Sequence, residues 1–161
     1  MGLMAEVTHP NVRAVQEVLA AAGATGEVRI LPDAVTTAAA AAAALGVEVG
    51  QIANSLVFAA DSAPLLVLTS GAHRVDTAKV AALVGAATVK RADPEFVRTA
   101  TGQAIGGVAP VGHTAPIRTL VDTALASYDE VWAAGGIAHA VYPTTFEELV
   151  RITGGEPVDV A

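Results

Sequence analysis

Two apolar runs, residues 55–60 and 64–69, are separated only by Asp61-Ser62-Ala63. Runs this short suit strands better than helices, and a polar joint of that length returns the second run beside the first. The chain is therefore expected to contain a β-hairpin, and its remaining segments have to cover it. Residues 9–22 place Val12, Val15, Val18, Leu19 and Ala22 on one helical face, and Gly23 and Gly26 end the run. Thr36 or Thr37 can cap an alanine-rich helix that stops at Gly46. Asp76 can cap a helix through Val84, ended by Gly85, and Asp93-Pro94-Glu95 opens another with proline at its first position. Pro143-Thr144-Thr145 caps a last helix over residues 146–152. Short strands are expected at 27–31, 88–90, 118–121, 130–134, 138–142 and 158–160. Residues 101–116, rich in glycine and proline, read as a loop.

Strands and helices are thus interspersed along the chain. The expected fold class is α+β (mixed α/β), a mixed and largely antiparallel sheet with packed helices. No internal repeat or Pro/Ser-rich linker appears, so residues 1–161 are read as a single domain. The hydrophobic fraction is 53% but aromatics are only 4%, so the core should hold many close helix–sheet contacts and few rings.

The chain has no cysteine, which excludes disulfides, thiolate metal sites and a thiol nucleophile. Residues 1–10 include Glu6 and His9 and lack the basic and apolar regions of a secretion signal. No run is long and apolar enough for a membrane span, and a cytoplasmic location is expected. The net charge of −7 argues against a broad nucleic-acid surface. Between His73 and Arg118, however, six cations (Arg74, Lys79, Lys90, Arg91, Arg98 and Arg118) meet only Asp76, Asp93 and Glu95. That local surplus is read either as scatter on a solvated surface or as a modest basic patch suited to one strand end.

The usual catalytic signatures are missing. There is no nucleophile elbow and no paired-histidine zinc helix, so no metal or other cofactor is expected. The stretch from Gly107 to Gly112-His113-Thr114 has phosphate-loop spacing, but histidine replaces the lysine and Pro110 removes a backbone donor. Ser55, His113 and Asp122 could be written as a catalytic triad, yet spacing gives no support for one. What remains is the segment from Gly102 to Gly112, with Gly106, Gly107 and Pro110 inside it. Such a loop can be an ordinary tight connection, or it can present main-chain N–H groups to a carbonyl oxygen or a phosphate.

The loop from Ala104 to Gly112 resembles the Gly-Xaa-Xaa-Xaa-Pro loop of YbaK-like editing proteins, the family that includes relatives of the prolyl-tRNA synthetase editing domain. The likeness extends to Thr36-Thr37 and the alanine-rich helix, Gln51 to Phe58, Arg74-Val75-Asp76 with Lys79, and Arg91 to Glu95. It continues through Leu120-Val121-Asp122, Val131 to Gly136 and Phe146 to Leu149. The resemblance implies a YbaK-like α+β fold and hydrolysis of the ester joining a wrong small amino acid, such as Ala, Ser, Thr or Cys, to a tRNA 3′ end. It implies a substrate-assisted reaction, in which a ribose hydroxyl helps to activate water and loop backbone holds the carbonyl. By that resemblance Gly106, Gly107, Val108 and Asn54 take catalytic positions. Pro110, Gly112, His113, Asp122 and Ser55 take substrate-binding ones, with strand-end capping the competing role for Asp122.

The aminoacyl-tRNA 3′ end is the implied partner and a synthetase a second candidate, while monomer and homodimer stay open. Asn54 stands where the family usually carries lysine, so the charge expected there is absent. Two alternatives follow. The chain is a non-catalytic binder of a tRNA end or a nucleotide, or it hydrolyses a different small ester or amide.

Overall fold

The computed structural model describes residues 9–161. The hairpin anticipated from the sequence is its centre. Strand β2 (Ile52–Ala60) pairs antiparallel with β3 (Ala63–Ser70) from Ala53 to Ala60. The joint is shorter than expected, since Ala60 already faces Ala63 and only Asp61 and Ser62 turn, both with positive φ. A two-residue turn of that hand matches the twist of the flanking strands. The Asp61 side chain accepts hydrogen bonds from the N–H groups of Ala87 (2.9 Å) and Thr88 (2.9 Å), which tie the turn to the next strand. Those donors hold its carboxyl below the usual carboxylate range.

Eight strands join one sheet among the described residues. Five flank the hairpin along the main path, whose order is β1 (Arg29–Ile30), β7 (Ala140–Thr144), β6 (Val131–Ala134), β2, β3, β5 (Arg118–Asp122) and β8 (Glu156–Val158). Strand β4 (Val89–Arg91) pairs with the far end of β2, off that path. The sheet is mixed, because β2–β6, β3–β5 and β5–β8 run parallel.

Its faces are covered by α1 (Pro10–Ala21), α2 (Ala38–Leu45), α3 (Thr77–Val84), α4 (Pro94–Thr101) and α5 (Phe146–Thr153). Thr37, Asp76, Asp93 and Thr145 each accept a hydrogen bond from the third residue onward, as their chemistry anticipated. The final strand lies at 156–158 and not at 158–160. Once α5 ends at Gly154, pairing of Glu156 with Leu120 starts at once, and Val160 is left to bury itself against Phe58 and Leu65. Two short 3-10 turns, Val49–Gln51 and Thr123–Ser127, carry no periodicity that would announce them.

The core divides by sheet face. Leu66, Leu68 and Val57 pack with Val15, Val111 and Leu149 on one side. Phe58, Leu65 and Val67 pack under Val80 of α3 on the other. Tyr142 is fully buried in the first cluster, and its hydroxyl has no hydrogen-bond partner among the described residues. Burial, assisted by the negative charge of Glu148, drives its phenol far above the ordinary tyrosine value. A buried hydroxyl without a partner costs on the order of 1 kcal/mol or more. Tyr142→Phe is therefore expected to raise stability by about 1 kcal/mol, read as a higher midpoint in urea with an unchanged slope.

Candidate functional site

Strand β2 is paired unevenly. On one edge β3 accompanies residues 53–60, while the other edge is shared by β6 at Ile52 and Ala53 and by β4 from Phe58 to Ala60. No strand pairs with residues 54–57 on that second edge, although the Val57 carbonyl is met by the Ala92 N–H at 3.2 Å. Main-chain polar groups alternate in direction along a strand. Ser55 therefore turns its N–H and C=O to the same open edge as Val57.

A cavity of about 700 Å³ opens at this gap. Asn54, Ser55, Leu56 and Phe58 form its β2 wall. Thr36, Thr37, Ala38 and Ala41 close it at the start of α2, and Trp132, Ala133, Ala138 and Ala140 form an apolar side. The glycine loop enters through Ile105, Gly106 and Val108, while His73, Arg74 and Arg91 stand at the cationic side. Arg29 stacks over the Trp132 ring at 4.9 Å and steadies that wall from outside.

The glycine loop is rigid for reasons the sequence does not display. Gln103 is buried, and its Oε1 accepts the Ala109 N–H at 2.7 Å while its Nε2 donates to the carbonyls of Val111 (3.3 Å) and Gly112 (3.4 Å). The Gly107 N–H donates to Ala104 O at 3.1 Å. With Ala109 and Gly107 occupied, the N–H groups of Gly106 and Val108 have no acceptor among the described residues, and both residues line the cavity. Gly106 has φ +94°, a conformation that side chains rarely adopt. Gly107 is needed for a different reason, because a Cβ there would lie 2.5 Å from the Ile137 carbonyl carbon. It faces a second, smaller cavity of about 330 Å³ on the other side of the loop.

Of the residues singled out from the sequence, Asn54, Ser55, Gly106 and Val108 share the main cavity. Pro110 is buried behind the loop, and neither it nor Gly112 lines either of these two cavities. His113 points back into the loop, with Nε2 2.7 Å from Ala109 O, so that nitrogen carries the proton. Asp122 is fully buried outside the cavity. It ends β5 and accepts the Ala124 N–H at 2.9 Å, which starts the 3-10 turn. Its other oxygen accepts the Ser70 N–H at 3.0 Å and lies 3.0 Å from Nδ1 of His73. Nothing in the sequence marks this contact, because 49 residues separate His73 from Asp122.

The cations between His73 and Arg118 do not form one patch. Lys79 pairs with Asp159 and Arg118 with Glu156, Arg98 lines the smaller cavity, and of the six Arg74 and Arg91 line the main one. Among the described residues no group of three or more His, Asp or Glu side chains is placed to hold a metal ion. No described helix is long and apolar enough to cross a membrane.

The family model of the aminoacyl-tRNA editing domain matches residues 32–152, three quarters of the chain and all of the main cavity's wall. The chain belongs to the aminoacyl-tRNA editing domain family. A solved structure described as a candidate trans-editing enzyme for prolyl-tRNA synthetase is 45% identical, with a TM-score of 0.87 over 94% of this chain and 96% of that one. A second, described only as a hypothetical protein, is 32% identical, with a TM-score of 0.85 over 91% of this chain and 98% of its own. Proline–tRNA ligase of Nitratidesulfovibrio vulgaris (strain DP4) is 34% identical over 91 residues, which are 56% of this chain but 16% of the ligase. The editing domain thus corresponds to a small part of the curated relatives it matches.

Two measurable consequences follow from the loop. Gln103→Ala strands one buried N–H and two carbonyls, and should cost about 2–4 kcal/mol in a denaturant titration. Burial holds the His113 imidazole below its ordinary value of 6.5, against a smaller opposing effect of the bond to Ala109. A histidine depressed in the folded state binds its proton more readily when unfolded, so stability falls as pH drops below about 6.5 toward the folded value. His113→Gln should flatten that part of the stability–pH curve.

Proposed function

We propose that the main cavity binds the aminoacyl end of a tRNA and hydrolyses the ester of a wrongly attached small amino acid, acting in trans. The observation that carries this reading is the pairing of two features across one cavity. The free N–H groups of Gly106 and Val108 stand on one side, and the unpaired edge of β2 at Ser55 on the other. An aminoacyl ester offers a carbonyl oxygen and an α-ammonium close together. The loop donors suit the oxygen, which becomes an oxyanion when water attacks, and the Ser55 carbonyl suits the ammonium.

The volume fits a terminal nucleoside with a small side chain. Ala38, Ala41, Ala133 and Ala140 leave the side-chain end apolar. A pocket of that kind separates neighbours differing by one methylene about 10–200-fold, which favours a short set of related amino acids over one. Asn54 can hydrogen-bond a ribose hydroxyl, and Arg74 and Arg91 are placed to meet phosphate without a basic surface elsewhere.

The test is ester loss across a panel of aminoacyl-tRNAs, with Gly106→Ala alongside. Small aminoacyl esters should disappear with wild type. The variant should be slower by about 100-fold, since a Cβ at that φ moves the donors off the oxyanion. Asn54 and the acidic net charge also support a non-catalytic reading. Salt-dependent tRNA binding with no turnover of any ester would favour it over hydrolysis.

A further inference from the structure

We infer that the main cavity passes through the plane of the sheet, so that the amino acid of the ester lies on one face and its nucleotide on the other, a placement that rests on the ester-hydrolysis reading above for the identity of the ligand. Successive side chains of a strand point to opposite faces. Residues 52–56 of β2 all line the cavity, which therefore reaches both faces. Ile52 packs with Trp132 and Ala41, while Leu56 packs with Phe58 under α3, and Asn54 shares their parity. Ala53 packs with Ala133, Val57 and Val108 in the cluster on the other face, and Ser55 shares theirs.

In a complete sheet a neighbouring strand would seal the two faces from each other. Here β6 leaves β2 after Ala53, and β4 first pairs at Phe58. The faces communicate through the gap between them.

The recognition chemistry divides along the same line. Arg91 lies over the Phe58 ring at 6.0 Å, and Val75 packs the segment carrying Arg74 onto the Phe58 cluster. Both cavity cations thus stand on the α3 face. The loop donors belong to the opposite face, where Val108 is part of the core. A nucleotide phosphate is drawn to the first face and the acyl carbonyl to the second. The ribose then occupies the gap, beside Asn54 and the main chain of Ser55.

This direction narrows the side-chain end of the pocket. Ala38 and Ala41 belong to the nucleotide's face. Ala133 belongs to the loop's face, and so does Ala140, which shares the parity of Tyr142, the ladder partner of Ala133.

The experiment is methyl NMR of the full chain labelled at alanine, leucine and valine. It is titrated with adenosine monophosphate, and separately with the same nucleotide carrying alanine through a stable amide in place of the ester. The nucleotide alone should shift the Ala41 and Leu56 methyl signals and leave those of Val108 and Ala133 in place. The alanyl analogue should shift all four. Turnover of aminoacyl-tRNAs is read on the same preparation. The nucleotide alone shifting Val108 and Ala133, or an analogue whose added shifts stay on Ala41 and Leu56, would overturn the placement even if esters are hydrolysed. The predicted shifts with no hydrolysis of any ester would uphold the placement and overturn the hydrolysis reading. An analogue that shifts none of the four would overturn the placement outright.

Discussion

Everything at the site depends on how the edges of β2 are divided. A strand that is paired throughout has no main-chain groups to offer, and a strand with a free edge invites association with other chains. Here β6 and β4 each take one end of the same edge and stop short of each other. The gap exposes the main chain of Ser55 inside a cavity closed by α2 and the glycine loop. Sheet topology thus leaves main-chain groups open at the cavity, which no substitution of side chains can easily remove.

The second requirement is a loop that holds its own donors still. Hydrogen bonds aimed at a developing charge are effective only if they need no reorganisation as the charge appears. The Gln103 side chain bridges the two ends of the loop, and Val108, Ala109 and Val111 anchor it in the core. Gly107 lets it lie against Ile137 and Ala138. Two N–H groups are consumed by that construction, and the alternate two remain for a ligand. The acidic chain reconciles itself with an anionic partner in a similar way. Most of its central cations are neutralised or lie elsewhere, but Arg74 and Arg91 remain at the cavity, where a single phosphate would arrive.

Local chemistry was legible in the sequence. The caps at Thr37, Asp76, Asp93 and Thr145, the hairpin and the glycine loop are each decided within a few residues, and each appears where spacing placed it. What spacing cannot carry is partnership across the sheet. The Asp122–His73 contact requires β5 to lie beside β3 in parallel, and the gap in β2 requires two distant strands to choose the same edge. Nothing in the sequence marks Gln103, because one glutamine in a loop looks solvated until its three loop partners are in place. For the same reason Gly106 and Gly107, equivalent by composition, turn out to face different cavities.

The central claim is that the free loop donors and the open strand edge grip one ligand between them. Its most direct test is amide NMR of the labelled protein titrated with an aminoacyl-adenosine analogue whose ester is replaced by a stable amide. The account predicts that the Ser55, Gly106 and Val108 amide signals shift together along one binding curve, while that of Gly107, already bonded to Ala104, moves least. Shifts confined to Gly107, Gly136 and Arg98, which line the second cavity, would contradict it.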